Sequence, residues 1–239
     1  MSFKVRKINK NSFNKQLILP LTFKSIKNRE NFIISSSNQS AVNLIENSNY
    51  WQQETNSIPA AIIYGPKGCG KTHLSTIFKD NNDSIYLDDL LSFNLDLINR
   101  ENSFIIDNFY PCKVYPAELV MHFLNRVINS DGSVLFLSRL SPHKMDWGLE
   151  DLNSRIRSLI SSEIKTPDDV LLYSFMVKYS NDKKLFLSDN HIFYILQRVE
   201  RSFENIIKMI DKLDTYSLEK KERVNYKTIR AVFESLSLN

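Results

Sequence analysis

A chain of 239 residues with 42% hydrophobic content is long enough for one large domain or two small ones, each with a packed core. Its apolar runs fall short of the roughly 20 residues that span a bilayer, and no apolar stretch follows the N-terminal charges as a secretory signal requires, so the sequence predicts a soluble, cytoplasmic protein with no membrane partner. The two cysteines, Cys69 and Cys112, fit a reducing compartment, and the four histidines, His73, His122, His143 and His191, lack metal-ligand spacing.

The net charge is +4, and its distribution says more than the sum. Lys4, Arg6, Lys7, Lys10, Lys15, Lys24, Lys27 and Arg29 all precede the first acid, Glu30. Clustered cations of this kind suit weak contact with DNA phosphates; a solvated, lysine-biased tail is the plainer reading. A transit peptide would favour Arg and Ser over this Lys and Asn mixture. Within the arm, Gln16-Leu17-Ile18-Leu19-Pro20-Leu21 joins a glutamine to alternating apolar residues and a proline. That pattern fits a short extended peptide docked in a groove or on a sheet edge, or leucines that pin the arm to its own domain.

Phe32, Ile33 and Ile34 then lead through Ser35 to Asn38 into an amphipathic helix, with Ala41, Val42, Leu44 and Ile45 on one face and Ser37 or Asn38 as its N-cap. Gln52 to Ser57 is a polar connector. The apolar run Ala60-Ala61-Ile62-Ile63-Tyr64 precedes Gly65-Pro66-Lys67-Gly68-Cys69-Gly70-Lys71-Thr72, and His73 to Lys79 follows as a helix. Strand, glycine loop and helix in that order are the context of a phosphate-binding loop. The glycines let successive N–H groups turn toward one anion, and the helix start adds the positive end of its dipole. Lys71 is expected at the β- and γ-phosphates and the Thr72 hydroxyl on magnesium.

Asp80 to Asp83 reads as a turn, Ser84 to Leu87 as a second strand and Leu90 to Asn99 as helical. Ser103 to Asn108 is an apolar strand ending in Asp107, placed to hold magnesium directly or through water. Pro116 to Asn129 is an amphipathic helix, Asp131-Gly132 turns the chain, and Ser133 to Ser138 is a buried strand that brings Ser138 and Arg139 to the edge where Asp107 lies, fit to sense a terminal phosphate. Strands alternating with helices predict a parallel α/β sheet. After Ile164 the chain turns helical: a helix opened by Thr166-Pro167 and running over Asp168 to Tyr179, then Asp189 to Val199, Ser202 to Lys220 and Tyr226 to Leu236, with Ser188, Arg201 or Ser202, and Asn225 near the starts.

A phosphate-loop α/β domain followed by a small helical lid resembles the AAA+ arrangement. Asn31 to Asn38 with Ala41 resembles the opening of that domain in the replication initiator DnaA, and Asp151-Leu152-Asn153-Ser154-Arg155-Ile156 looks like its arginine-finger segment. With Gln16 to Leu21 in front and no DnaA-like DNA-binding domain behind, the chain resembles the Hda family of DnaA regulators, above all its alphaproteobacterial version. The resemblance implies three parts: residues 1–24 as an arm with a clamp peptide, 25–164 as the AAA+ domain and 165–239 as the lid. It further implies that Gln16, Leu17, Leu19, Pro20 and Leu21 bind the DNA polymerase sliding clamp. Gly65 to Thr72, Asp107, Ser138 and Arg201 would hold ADP or ATP with Mg, and Arg155 would act in trans on ATP bound to DnaA. It leaves room for self-association as well.

Two positions depart from the family pattern. Asn108 replaces the second acid that orients the attacking water, which predicts weak or absent intrinsic ATPase. Glu204 falls where the lid's sensor arginine is expected, with Arg201 as the nearby substitute. Two other functions remain open on the residues alone: a self-sufficient AAA+ ATPase that loads or remodels nucleic-acid complexes, and a DnaA-like adaptor without catalysis.

Overall fold

The computed structural model describes residues 32–48, 51, 58–87, 90–98, 102–111 and 115–237. The basic arm, the Gln16 to Leu21 peptide and Cys112 lie outside the described residues. Five strands, β1 Ala60–Tyr64, β2 Ile85–Leu87, β3 Ser103–Ile106, β4 Ser133–Ser138 and β5 Ile160–Glu163, form one parallel sheet in the order β2-β3-β4-β1-β5. Helices α1 Gln39–Glu46 and α2 Lys71–Asn82 cover one face, and α3 Ala117–Asn129 and α4 Glu150–Ser158 cover the other.

Side chains alternate across a strand, and both faces here are buried. Ala61, Ile63, Ile105, Leu135 and Leu137 therefore pack with Ala41, Val42, Leu74 and Phe78. Their neighbours Ile62, Phe104, Ile106, Val134 and Phe136 pack with Val120, Phe123, Leu152 and Ile156. At the N-terminal ends of the strands, the hydroxyls of Ser84 and Ser133 each meet Ser103 Oγ, at 2.9 and 3.1 Å, so these buried polar groups are satisfied.

Local chemistry moves several boundaries from their expected places. The expected turn at Asp80 to Asp83 is helical as far as Asn82, and Asp83 closes it in the left-handed region at φ 47°. Of the stretch expected to be helical from Leu90 to Asn99, the described residues 90–98 form no α-helix; a 3-10 turn, Leu95–Leu97, stands there, with the Asn94 side chain accepting from the Asp96 N–H. Pro116 is the N-cap of α3, where its missing N–H costs nothing. Asn38 occupies the N-cap of α1 without a side-chain cap bond, because its amide accepts from the Ser35 N–H and donates to the Ile33 carbonyl. β5 carries no apolar run, so its ladder with β1 rather than its propensity makes it a strand.

The C-terminal part is a bundle of α5 Asp169–Asp182, α6 Asp189–Leu196, α7 Phe203–Lys220 and α8 Tyr226–Ser237. Thr166 and Pro167 precede α5 instead of opening it, since the Asp168 side chain accepts from the Leu171 N–H at 2.7 Å. Ser188 and Ser202 cap α6 and α7 in the same manner, and Asn225 Oδ1 accepts from the Thr228 N–H at 3.0 Å. Leu172, Met176, Ile195, Ile206, Ile210 and Ile229 belong to a separate core of this bundle. Among the described residues no helix is long and apolar enough to cross a membrane.

Candidate functional site

The parallel ladder brings the C-terminal ends of β1, β3 and β4 to one edge, pairing Tyr64 with Ser138 and Ile106 with Phe136. From that edge the chain leaves β1 through Gly65, whose N–H donates to the Ser138 carbonyl at 3.1 Å. Gly70 sits at the N-cap of α2 with φ 105° and no side-chain cap, which leaves the first-turn N–H groups of α2 free of a capping side chain. Gly68, at φ 73°, has a second reason to be glycine: a Cβ there would stand 2.9 Å from Ser202 Cβ of the helical bundle.

Lys71 is buried to 9% exposure and donates to the Gly65 and Pro66 carbonyl oxygens at 2.8 Å each. Its ammonium is thus held at the loop by neutral acceptors, a position from which it can pass to a phosphate oxygen. The Cys69 sulfur lies 3.7 Å away. Burial pushes the Cys69 thiol up, and the nearby Lys71 ammonium only partly offsets this, so the thiol is a packing group and not a nucleophile.

Beside the loop, Thr72 Oγ1 donates to Asp107 Oδ2 at 3.0 Å, and the Asn108 N–H donates to Asp107 Oδ1 at 2.7 Å. Asn108 takes φ 54°, a left-handed conformation that a short polar side chain tolerates. A hydroxyl and a carboxylate this close are hard oxygen donors and fit Mg²⁺, which binds through one or two protein groups and takes its remaining ligands from phosphates and water. Among the described residues no group of three or more His, Cys, Asp or Glu side chains could hold a metal by itself.

The bundle lies beside this edge and the two line a half-open cleft of about 820 Å³. Lys67, Gly68, Gly70, Lys71, Thr72 and Asp107 line its floor, with Asn108 and Arg139 beside them. Phe32, Ile33 and His73 line one side, and on the other the aromatic and apolar side chains Phe175, Tyr179, Phe203 and Ile207 alternate with the charged Lys178 and Asp182 of α5, Lys183 at its C-cap and Lys208 of α7. The junction is direct: the Phe203 N–H donates to the Gly68 carbonyl at 3.1 Å, and Glu204 accepts from Lys67 at 3.2 Å and from Lys208 at 2.8 Å. The Lys208 and Lys67 hydrogen bonds hold the Glu204 carboxyl below the usual carboxylate range. A cavity with the phosphate loop at its floor and aromatic rings among charged side chains at its walls suits a nucleotide, base beside a ring and phosphates on the loop.

Other sequence-selected residues stand apart from this floor. Ser138 is fully buried behind it, with its hydroxyl accepting from the Leu140 N–H at 3.0 Å. Arg201 is not among the lining residues; its guanidinium pairs at the surface with Asp169 at 2.8 Å, and Glu204 stands at the cavity instead. Arg155, on α4, is also away from the cavity lining, where it donates to Asn125 Oδ1 of α3 at 2.9 Å and to Asp151 Oδ1 at 3.4 Å. The sequence reading passed over Tyr86, whose hydroxyl reaches Asp107, although its place one residue from the end of β2 was a signal. It also passed over the aromatic pair Phe175 and Phe203, whose rings meet edge to face at 4.9 Å.

Comparison with known proteins gives this geometry a lineage. The family model described as "Hda, lid domain" matches residues 172–233. The chromosomal replication initiator DnaA of Helicobacter hepaticus is 24% identical over 206 residues, which is 76% of this chain and 45% of the initiator, so the chain spans about half the length of that relative. Domain III of Thermotoga maritima DnaA superposes with a TM-score of 0.72 at 18% identity, over 87% of this chain and 96% of that one. The AMPPCP-bound DnaA of Aquifex aeolicus superposes with a TM-score of 0.60 at 20% identity, over 76% of this chain and 63% of that one. The expected AAA+ architecture, a parallel phosphate-loop sheet followed by a helical lid, is the one found; the chain is similar to DnaA over this region and its lid matches the Hda lid-domain model.

Proposed function

We propose that this protein holds ADP or ATP with Mg²⁺ between the phosphate loop and the lid, docks on the sliding clamp through Gln16 to Leu21, and stimulates hydrolysis of ATP bound to DnaA. Residues 1–24 serve as the arm, 25–164 as the AAA+ domain and 165–239 as the lid. Lys71 takes the β- and γ-phosphates, while Thr72 and Asp107 would hold the metal, which would supply charge neutralisation at the bound phosphates. Arg155 works on the nucleotide of DnaA. The observation that carries the reading is the division of labour in space: phosphate loop, Asp107 and Hda-type lid converge on one cavity, while Arg155 is on α4, away from it.

The decisive experiment immobilises the organism's sliding clamp and measures binding of the full chain and of a Gln16→Ala, Leu19→Ala variant. Micromolar or tighter binding by the full chain, lost in the variant, is the expected result. Equal binding by both would remove the peptide from the interface, and no binding by either would remove the clamp from the proposal.

Intrinsic turnover gives a second check. An amide at Asn108 cannot accept a proton or orient water as a carboxylate does. The purified chain is therefore expected to bind nucleotide yet hydrolyse it at or near background. Vigorous phosphate release that disappears in Lys71→Ala would make it an ATPase in its own right.

A further inference from the structure

Asp107 Oδ2 accepts two hydrogen bonds at the same distance, 3.0 Å from Thr72 Oγ1 and 3.0 Å from the Tyr86 hydroxyl. The two donors differ in what binding of a metal would do to them. Thr72 offers a lone pair to the cation in the proposed site, so its proton must turn elsewhere when the cation arrives. The Tyr86 hydroxyl is under no such demand, because β2 holds it from the side: Tyr86 registers with Ile105 on β3, and Leu87 with Ile106, one residue before Asp107.

We infer that Tyr86 is the positioning residue for the metal-binding carboxylate, keeping Asp107 aimed at the cation once Thr72 has let go. This rests on the reading of Thr72 and Asp107 as the Mg²⁺ donors and goes beyond it by adding a residue that touches neither metal nor nucleotide. Three features support it. The Asn108 N–H fixes Oδ1, so the Tyr86 hydroxyl on Oδ2 completes a two-point grip on the carboxylate. Tyr86 is half-buried against the core that contains Ile105 and Phe78, which limits the arc its hydroxyl can sweep. Outer partners of this kind orient a ligand before the metal binds and are worth about 10- to 100-fold in metal affinity.

The test is Mg²⁺ titration of fluorescent ADP binding to the full chain, with a parallel series in EDTA, for wild type, Tyr86→Phe and Asp107→Asn. Phenylalanine keeps the ring and its packing and removes only the donor. Tyr86→Phe is expected to raise the Mg²⁺ concentration at half-effect about tenfold or more while leaving binding in EDTA unchanged. A purely structural role for Tyr86 would weaken binding in both series together. If Asp107→Asn loses the Mg²⁺ response and Tyr86→Phe keeps the wild-type one, this inference fails and the site reading stands. If wild-type binding shows no Mg²⁺ response, or there is no binding at all, the metal reading falls and the inference with it.

Discussion

Arg155→Ala is expected to return the hydrolysis of DnaA-bound ATP to the initiator's own basal rate, a loss of about 10³-fold or more if the finger works as in comparable phosphoryl transfers. A guanidinium presented in trans stabilises the charge that spreads over the γ-phosphoryl oxygens as the bond to the β-phosphate lengthens, and its planar fork engages two oxygens at once. Arg155 is 33% exposed, and of its two partners in this chain Asp151 is exposed on α4 and Asn125 is half-buried on α3. Exposed pairs at helical i, i+4 spacing contribute about 0.3 to 0.5 kcal/mol. The substitution should therefore leave the melting temperature and clamp binding almost unchanged while abolishing stimulation. Arg155→Lys sharpens the test, because a retained point charge without the fork should recover only a small part of the rate. Stimulation that survives Arg155→Ala, or a melting temperature that falls with it, would reduce Arg155 to a surface brace between α3 and α4.

How far the chain could be read in advance depended on what made each element. The strands β1, β3 and β4 and the amphipathic helix α3 declare themselves, because burial on both faces of a parallel sheet demands continuous hydrophobicity; β2, at the sheet edge, is short and apolar with Ile85 exposed. β5 is Ile160-Ser161-Ser162-Glu163, and only its hydrogen bonds to β1 make it a strand; no local pattern encodes a partner 99 positions away in the chain. The same limit governs the site. Gly65 to Thr72 and Asp107 stand out because their chemistry is written into adjacent residues, whereas the cavity walls depend on how the lid sits on the loop. Phe203 meets Gly68 through a single backbone hydrogen bond, and Glu204 reaches Lys67 across 137 positions of sequence. Arg201 shows the converse. Three residues from Glu204 on the sequence, it precedes the start of α7 and points to Asp169, since Ser202 caps the helix between them.

Phe136→Ala is expected to destabilise the α/β domain by about 3 to 5 kcal/mol, the range for emptying a buried phenylalanine site. Phe136 is fully buried on β4, between β3 and β1, where a sheet cannot shift inward to fill a void without breaking ladders on both sides. Its ring stacks on Phe109 at 4.0 Å, and Phe109 in turn contacts Trp147 at 4.9 Å. Because domains hold only about 5 to 15 kcal/mol in total, urea unfolding should show a large drop in midpoint with little change in slope. The lid keeps a core of its own that does not include Phe136, so in the variant its helical signal should be lost after that of the α/β domain, near its wild-type midpoint. The site feels the loss too. Phe109 follows Asp107 and Asn108, and its N–H donates to the Leu137 carbonyl at 2.8 Å, so the stacked pair anchors the chain just after Asp107, the carboxylate proposed to hold the metal. Phe136→Leu, which refills most of the volume, should recover most of the stability, but Phe109 then keeps only its tilted contact with Trp147 and loses the stacked ring. Its Mg²⁺ response should then remain weaker than wild type at temperatures where the domain is fully folded. A Phe136→Ala penalty under about 1 kcal/mol would mean that this layer of the core collapses around the gap and that the ring stack is incidental to the site.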